Sequence, residues 1–572
     1  MIISNTIPRP EHPFPQFVRD TWMNLNGEWQ FERDFGISGK ARKLYEADSL
    51  PERITVPFCM ESELSGVGYK DFCECVWYRK EVEISEDWLK DGRHVLLHIG
   101  ACDYKTDVYV NGTFIGTHRG GYISFSFDIT AQLKVGKNVI TISAEDYLRS
   151  ETQPAGKQSA KYDSYGCFYT RTTGIWQTVW LENTAAAYIE KAHYTANVED
   201  SSLTVAANVI GGIGETLTAE AYWNGKLVGT ASAKATNRVC NVIVPLSELH
   251  LWELGKGGLY DLVLKFKDDT VKSYFGMRTL TLDDSALVIN GKKVFQRTVL
   301  DQGFYPDGIY TASCEQELIN DITRSMACGF NGARLHQKVF EPLFLYHCDR
   351  LGYMVWGEHA NWGLNVRENS AWKSFVTEWI EIVDRDIDHP AIIGWCPFNE
   401  TNKDQDDELI AYCADLTRKL DPTRPVIDTS GWAHVVGATD IMDWHDYDQN
   451  PETFKQRYID AANGIGIEKR YTKFPIIPRF VSEYGGIKWD VNSGEQNAWG
   501  YGNAPKTEKE FLERFKGLAE ALLFNPFITG LCYTQLTDVE QETNGLYTYD
   551  RKAKFDCDYF YKVLTQKAAI EE

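Results

Sequence analysis

No run of eighteen consecutive apolar residues occurs anywhere in the 572-residue sequence, which excludes a membrane-spanning helix from the expectations. The opening residues, MIISNTIPRPEHPFP, have neither a basic start with an apolar core nor a small-residue cleavage site, so a cytoplasmic protein is expected. Basic residues are scarce: 59 Lys plus Arg stand against 81 Asp plus Glu, a formal charge of -22. Such a field repels polyanions, so neither nucleic acid nor a membrane surface is an expected partner. A disulfide pattern is also missing. The 13 cysteines are odd in number and several, such as Cys328, Cys348, Cys396 and Cys532, sit inside apolar runs, as free thiols in a reducing compartment do. Cys73 and Cys75 are one residue apart with no matching Cys/His pair, so no structural metal is expected. The chain has no serine elbow, no phosphate loop and no dense His/Asp metal set, so no cofactor is expected.

What is present is the composition of a folded protein, 43% hydrophobic and 24% charged, with length for three or four domains. Three regions follow one another. Residues 1–184 carry alternating stretches at 76–84, 94–101, 105–116 and 138–146, with Asn111-Gly112 as a hairpin turn, and predict a jelly-roll β-sandwich. Residues 185–282 hold a shorter strand series at the spacing of a small two-sheet sandwich, immunoglobulin-like in architecture. From 283 to 572, short apolar strands alternate with amphipathic segments. Candidate strands lie at 294–300, 332–336, 353–358, 392–400, 425–430, 440–447, 479–485 and 527–535, and candidate helices at 315–329, 341–352, 374–387, 408–420 and 508–523. Eight βα units over that length predict a (β/α)8 TIM barrel.

Barrel chemistry sits at the C-terminal strand ends, so the polar residues finishing each apolar run become candidates. They include Asp301, Arg334, His336, Glu358, Asn399, Glu400, His445, Tyr447, Glu483, Tyr484 and Gln535. Carboxylates, amides and aromatic rings suit a sugar. Glu400 and Glu483 each follow a nearly all-apolar strand, the fourth and the seventh by this count, and so face one another across the rim. Glycoside hydrolysis needs such a pair, one carboxyl protonating the leaving oxygen and the other ionised against the oxocarbenium-like transition state.

Long segments resemble the family 2 glycoside hydrolases, the group of β-galactosidases, β-glucuronidases and β-mannosidases. They include LNGEWQF (25–31), DVYVNGTFIGTHRGGYISFSFDIT (107–130), TTGIWQTVWLE (172–182), GFNGARLH (329–336), DRDIDHPAIIGWCPFNE (384–400) and FVSEYG (480–485), in family order across nearly the whole chain. The resemblance implies a retaining exo-glycosidase acting through a covalent glycosyl-enzyme, with Glu400 as acid/base, Glu483 as nucleophile and Asn399 on the 2-hydroxyl. It also implies frequent homo-oligomers and a first-sandwich loop, notably 150–170, reaching the barrel mouth. Arg334 is expected to hold Glu483 ionised and Tyr484 to hydrogen-bond it, while His445 and Tyr447 line the pocket; Glu358 and Asp301 either read hydroxyls or pair structurally.

Departures from the family bear on the substrate. The first strand is followed by VLDQGFYPDG (299–308) instead of an Asn-Arg-His stretch, and His336 is displaced by one position from the usual Arg-x-x-His. The eighth strand, YTQLTDVEQETNG (533–545), lacks the Asn-Lys element that holds the carboxylate in family β-glucuronidases. The sequence therefore disfavours a glucuronide and leaves a β-galactosidase-like enzyme, with a galactofuranosidase or arabinofuranosidase beside it. A transglycosylase and a carbohydrate-binding protein without catalysis remain as alternatives.

Overall fold

The computed structural model describes residues 7–466, 477–491 and 497–571; residues 1–6, on which part of the targeting expectation rests, lie outside these. Among them no helix is long and apolar enough to cross a membrane. In the first region a four-stranded antiparallel sheet faces a six-stranded one. The strand Cys75–Ile84 runs antiparallel to Gly136–Glu145 over ten residue pairs. Alternation sends Val76, Tyr78, Val82 and Ile84 into the core between the sheets, where Val95, Leu97 and Ile99 meet them. The second region is a three-stranded sheet against a four-stranded one around a separate core of Leu203, Val205, Leu217, Leu262 and Leu264. This is the two-sandwich plan expected.

The third region is the barrel. Its strands are β1 (Gln296–Asp301), β2 (Gly332–Leu335), β3 (Met354–Glu358), β4 (Ile392–Cys396), β5 (Thr429–Ser430), β6 (Met442–Asp446), β7 (Arg479–Gly485) and β8 (Gly530–Thr534). Seven of them form one parallel sheet in the order β4-β3-β2-β1-β8-β7-β6. The extension of β4, Phe398–Asn399, pairs in parallel with β5, and Asp440 N–H donates to Val426 C=O at 2.8 Å where β5 meets β6, which closes the ring. Gly332 starts β2 because a Cβ there would lie 2.3 Å from the Met354 carbonyl.

The barrel is filled, not hollow: Leu300, Met354, Trp356, Ile393, Phe480 and Cys532 pack inside it. Three short antiparallel strands between Leu280 and Val294 add Leu287, Ile289 and Val294 to that cluster and so cover the N-terminal end. Helices Glu315–Ala327 (α1), Pro342–Leu351 (α2), Asn369–Asp386 (α3), Asp407–Leu420 (α4), Pro451–Ala462 (α5), Glu508–Leu523 (α6) and Cys557–Leu564 (α7) surround it. In α1 the spacing Leu318, Ile322, Ser325 puts one face on the barrel. Helix α4 starts where the Asp406 carboxylate accepts the Glu408 and Leu409 N–H groups. The pattern at 374–387 marks only the later part of α3, and α5 and α7 were not among the expected helices. All 13 cysteines are free thiols, most of them buried.

Candidate active site

Strand geometry decides which rim side chains meet. Along β7, Phe480 belongs to the barrel interior, while Val481 and Tyr484 pack with Phe511 and Phe515 of α6 on the outer layer. Strict alternation from Val481 would turn Glu483 outward with it. An irregularity between Val481 and Tyr484, where the register against β8 shifts, instead leaves both Ser482 and Glu483 facing inward, as bulges beside active sites do. The same geometry corrects one expectation. Tyr484 is on the outer face, edge-on to Tyr533 at 5.7 Å, and does not bond Glu483. The phenol that does is Tyr447, after β6, whose Oη donates to Glu483 Oε2 and lies 3.1 Å from Thr534 Oγ1.

Glu400 follows the β4 extension in a left-handed backbone conformation, φ 47°, rare for a residue with a Cβ and held here by its N–H bond to Ser430 C=O at 2.8 Å. His445 stands between the two glutamates. Its Nδ1 is 2.6 Å from Glu400 Oε1, and its Nε2 is 3.4 Å from Glu483 Oε1 and 2.9 Å from Ser430 Oγ. Donor atoms of Glu400, His445 and Glu483 all lie within 4.8 Å of one another. That trio is the cluster among the described residues with metal-ligand potential. His445 and Glu400 are hydrogen-bonded to each other at 2.6 Å, while Glu483 stands 3.4 Å from His445 Nε2 as an ion-pair neighbour.

Arg334 at the end of β2 anchors the floor. It is fully buried and donates through Nη1 to Glu483 Oε1 at 3.1 Å, and through Nη2 to Glu358 Oε2 at 2.6 Å and Asn399 Oδ1 at 3.0 Å. Glu358 also accepts the Gln337 N–H at 3.1 Å, and His336 Nδ1 lies 2.9 Å from it, out of line for a hydrogen bond. Glu358 is thus committed to Arg334 and the Gln337 N–H as a structural partner. Burial raises the Glu483 carboxyl, but the positive potential of His445, Arg334 and Lys157 outweighs burial and pulls it down to about 2. Burial lowers His445, yet Glu483 and Glu400 raise it further than burial depresses it. His336 goes the other way, lowered chiefly by burial. The result is an ionised Glu483, held by two donors, Arg334 and Tyr447, with His445 Nε2 3.4 Å away.

Asn399 is positioned through its backbone, where Asn361 Oδ1 accepts its N–H at 2.9 Å and the Trp362 indole N–H donates to its carbonyl at 3.1 Å. Its Nδ2 is buried with no partner among the described residues, a donor left for a ligand. Gln535 accepts from Gln302 Nε2 at 2.8 Å and keeps its own Nε2 unpartnered. Asp301 is not brought to the cluster. It accepts the Gly303 N–H at 2.9 Å, and burial with Asp321 nearby pushes its carboxyl up to about 6.

Sequence reasoning missed the residues behind and above this core. Ser430 and Ser482 both donate to Asp443 Oδ2 and so orient the neighbourhood of His445. Tyr501 stacks flat on Tyr447, centroids 3.4 Å apart. Most removed in sequence is Lys157, from the strandless stretch between Glu145 and Gly174 of the first sandwich. The Ala155 and Gly156 N–H groups bond the Trp362 carbonyl at 2.8 and 3.0 Å, which lays this loop over the barrel mouth. The reach of the 150–170 loop to the barrel mouth was expected from the family resemblance, but none of its side chains was singled out.

A closed parallel barrel with two carboxylates at its mouth, approached by a loop from an N-terminal sandwich, defines a multidomain barrel built for carboxylate-pair chemistry. The description "Glycosyl hydrolases family 2, sugar binding domain" matches residues 23–184, and "Glycosyl hydrolases family 2, TIM barrel domain" matches residues 280–516. The chain belongs to glycosyl hydrolase family 2. A β-galactosidase of Thermoanaerobacter pseudethanolicus is 25% identical over 411 residues, 67% of this chain and 52% of that protein. The β-glucuronidase of Sus scrofa is 25% identical over 445 residues, 70% of this chain and 67% of that one. The chain spans about half the length of the first curated relatives it matches. A solved β-glucuronidase from an uncultured Clostridium shares the fold, with a TM-score of 0.79 at 18% identity over 96% of this chain and 98% of that one.

Proposed function

We propose that the chain is an exo-acting, retaining glycoside hydrolase that removes a terminal sugar by double displacement. The observation that carries this reading is the carboxylate pair: oxygens of Glu400 and Glu483 lie within 4.8 Å of each other. That separation fits the roughly 5–5.5 Å of retaining enzymes and leaves no room for the water that inverting enzymes place between carboxyls at about 6.5–9.5 Å. The roles follow from the surroundings. Glu483, ionised and held by Arg334 and Tyr447, attacks the anomeric carbon. Glu400, on the more open side with 18% of its side chain exposed against 5% for Glu483, gives its proton to the departing oxygen. Water then attacks the glycosyl-Glu483 ester, with Glu400 taking the proton back. The free Asn399 Nδ2 donates to the sugar 2-hydroxyl.

A binding protein that has lost catalysis is the weaker reading, because both carboxylates, their orienting histidine and the arginine behind them are all in place. The terminal sugar is not fixed by this machinery; the relatives carry both β-glucuronidase and β-galactosidase names. The test is a panel of aryl glycosides, namely β-glucuronide, β-galactopyranoside, β-mannoside, β-galactofuranoside and α-arabinofuranoside, run beside Glu483→Gln. Release from at least one, absent in the variant and giving the β-anomer first from a β-glycoside, supports the proposal; an α-anomer first, or equal release by the variant, refutes it.

A further inference from the structure

Lys157 is almost fully buried, yet among the described residues its ammonium has neither a hydrogen bond nor an ion pair; its close neighbour is the face of the Trp362 ring, with Nζ 4.4 Å from the centroid. The stem is enclosed, but Nζ is not among the fully enclosed unpartnered atoms, so the ammonium keeps an accessible face with three N–H donors and a full charge for a ligand. Burial lowers its pKa, but the negative potential of Cys167, Glu542, Glu483 and Glu400 overcomes this and raises it, so the group stays charged beside both catalytic carboxylates.

None of the three glutamates is free to close on it. Glu483 is taken by Arg334 and Tyr447 and Glu400 by His445. Glu542 accepts from Tyr169 Oη and from Asn544 Nδ2 at 2.9 Å. The backbone fixes the position too. Gly156 has φ +60°, and a Cβ there would lie 2.2 Å from the Gln337 carbonyl, so the loop is pressed onto the barrel just where Lys157 begins. Trp362, under the ammonium, also holds Asn399, which ties the lysine to the sugar-binding side of the site.

We infer that Lys157 is the specificity residue of this site, reading a carboxylate on the terminal sugar, so that the first sandwich supplies the cation that the eighth strand lacks. A carboxylate brings the missing countercharge and two acceptor oxygens, whereas a neutral hydroxyl brings no charge. The substrate class is then a uronic acid glycoside, which reverses the sequence-based preference for a neutral sugar. That preference counted only the missing Asn-Lys element and had no means of placing a lysine some 380 positions away beside the same pocket.

The inference rests on the glycosidase reading, and the experiment separates the two. For 4-nitrophenyl β-glucuronide and β-galactopyranoside, the wild type should favour the uronide. Lys157→Met should cut the uronide-to-galactoside ratio of kcat/KM by at least about 30-fold, and Lys157→Arg should restore most of it, as expected for one charge-assisted contact. A wild type that prefers the neutral glycoside, or a ratio unchanged in Lys157→Met with unchanged melting temperature, overturns the assignment. In parallel, calorimetry on Glu483→Gln compares D-glucuronate with D-galactose. Glucuronate should bind tighter, and the preference should vanish in Glu483→Gln/Lys157→Met; equal binding overturns the role of Lys157. If the wild type cleaves no glycoside, the glycosidase reading falls while the calorimetric preference still decides the lysine.

Discussion

Replacing Glu400 by Gln removes one proton and almost no volume. The carbonyl of the new amide can still face His445 Nδ1, which now sits 2.6 Å from Glu400 Oε1, and Ser430 C=O still holds the backbone N–H. The fold should survive with a stability change within about 1 kcal/mol. What is lost is general acid–base help, typically about 10²–10⁴-fold in rate, or roughly 2.7–5.5 kcal/mol. The two chemical steps feel this differently. A 4-nitrophenol leaving group departs without protonation, so the first step stays fast and glycosyl-Glu483 accumulates. The second step needs Glu400 to take a proton from water and slows by the full factor. Stopped-flow should therefore show a burst of nitrophenol close to the enzyme concentration, then slow turnover. Azide needs no base, so it should restore turnover at least about 10-fold and release a glycosyl azide of the same anomeric configuration as the substrate. No burst, no rescue, or an azide of inverted configuration would refute the assignment of Glu400 and the retaining geometry with it.

Tyr447→Phe keeps the stack on Tyr501 but removes the donor to Glu483 Oε2. Losing a charge-assisted bond of about 1.5–3 kcal/mol should lift the Glu483 carboxyl by about 1–2 units from its value of about 2. The acid limb of kcat/KM should rise to near pH 3–4, and an unmoved limb would sink that role for the tyrosine. Glu378 on α3 is buried and accepts the Tyr122 N–H of the first sandwich at 2.9 Å; burial pushes its carboxyl up to about 8. The folded state then holds a proton that the unfolded state, with a carboxyl near 4.3, has released, so stability falls as pH rises from about 4.5 to 8 and levels off above. Glu378→Gln should flatten this slope and melt higher than the wild type at pH 8, by the equivalent of a few kcal/mol; parallel melting curves for the two proteins across that range would refute the coupling.

The fold was written in local pattern. Period-two alternation at 76–84 and 138–146 marked strands that pair over their full length, and eight short apolar runs, each ending in a polar residue, marked the barrel strands. Glu400 and Glu483 were legible for the same reason, since a barrel brings strand ends to one rim whatever the loops do. Three things lay beyond local pattern. The shift along β7 turned Glu483 inward and left Tyr484 outside, because alternation cannot be counted through a bulge. The choice of phenol fell to Tyr447, just past the end of the neighbouring β6, since register between strands is not encoded in either one alone. And Lys157 entered the site because a sandwich loop docks on Trp362, a contact between domains that no local periodicity records. Periodicity within each segment was enough for the scaffold and for the rim positions of the two carboxylates, not for the inward turn of Glu483. What holds those carboxylates came from packing between strands, which brings Arg334 to Glu483 across 149 positions, and the lysine near them came from packing between domains.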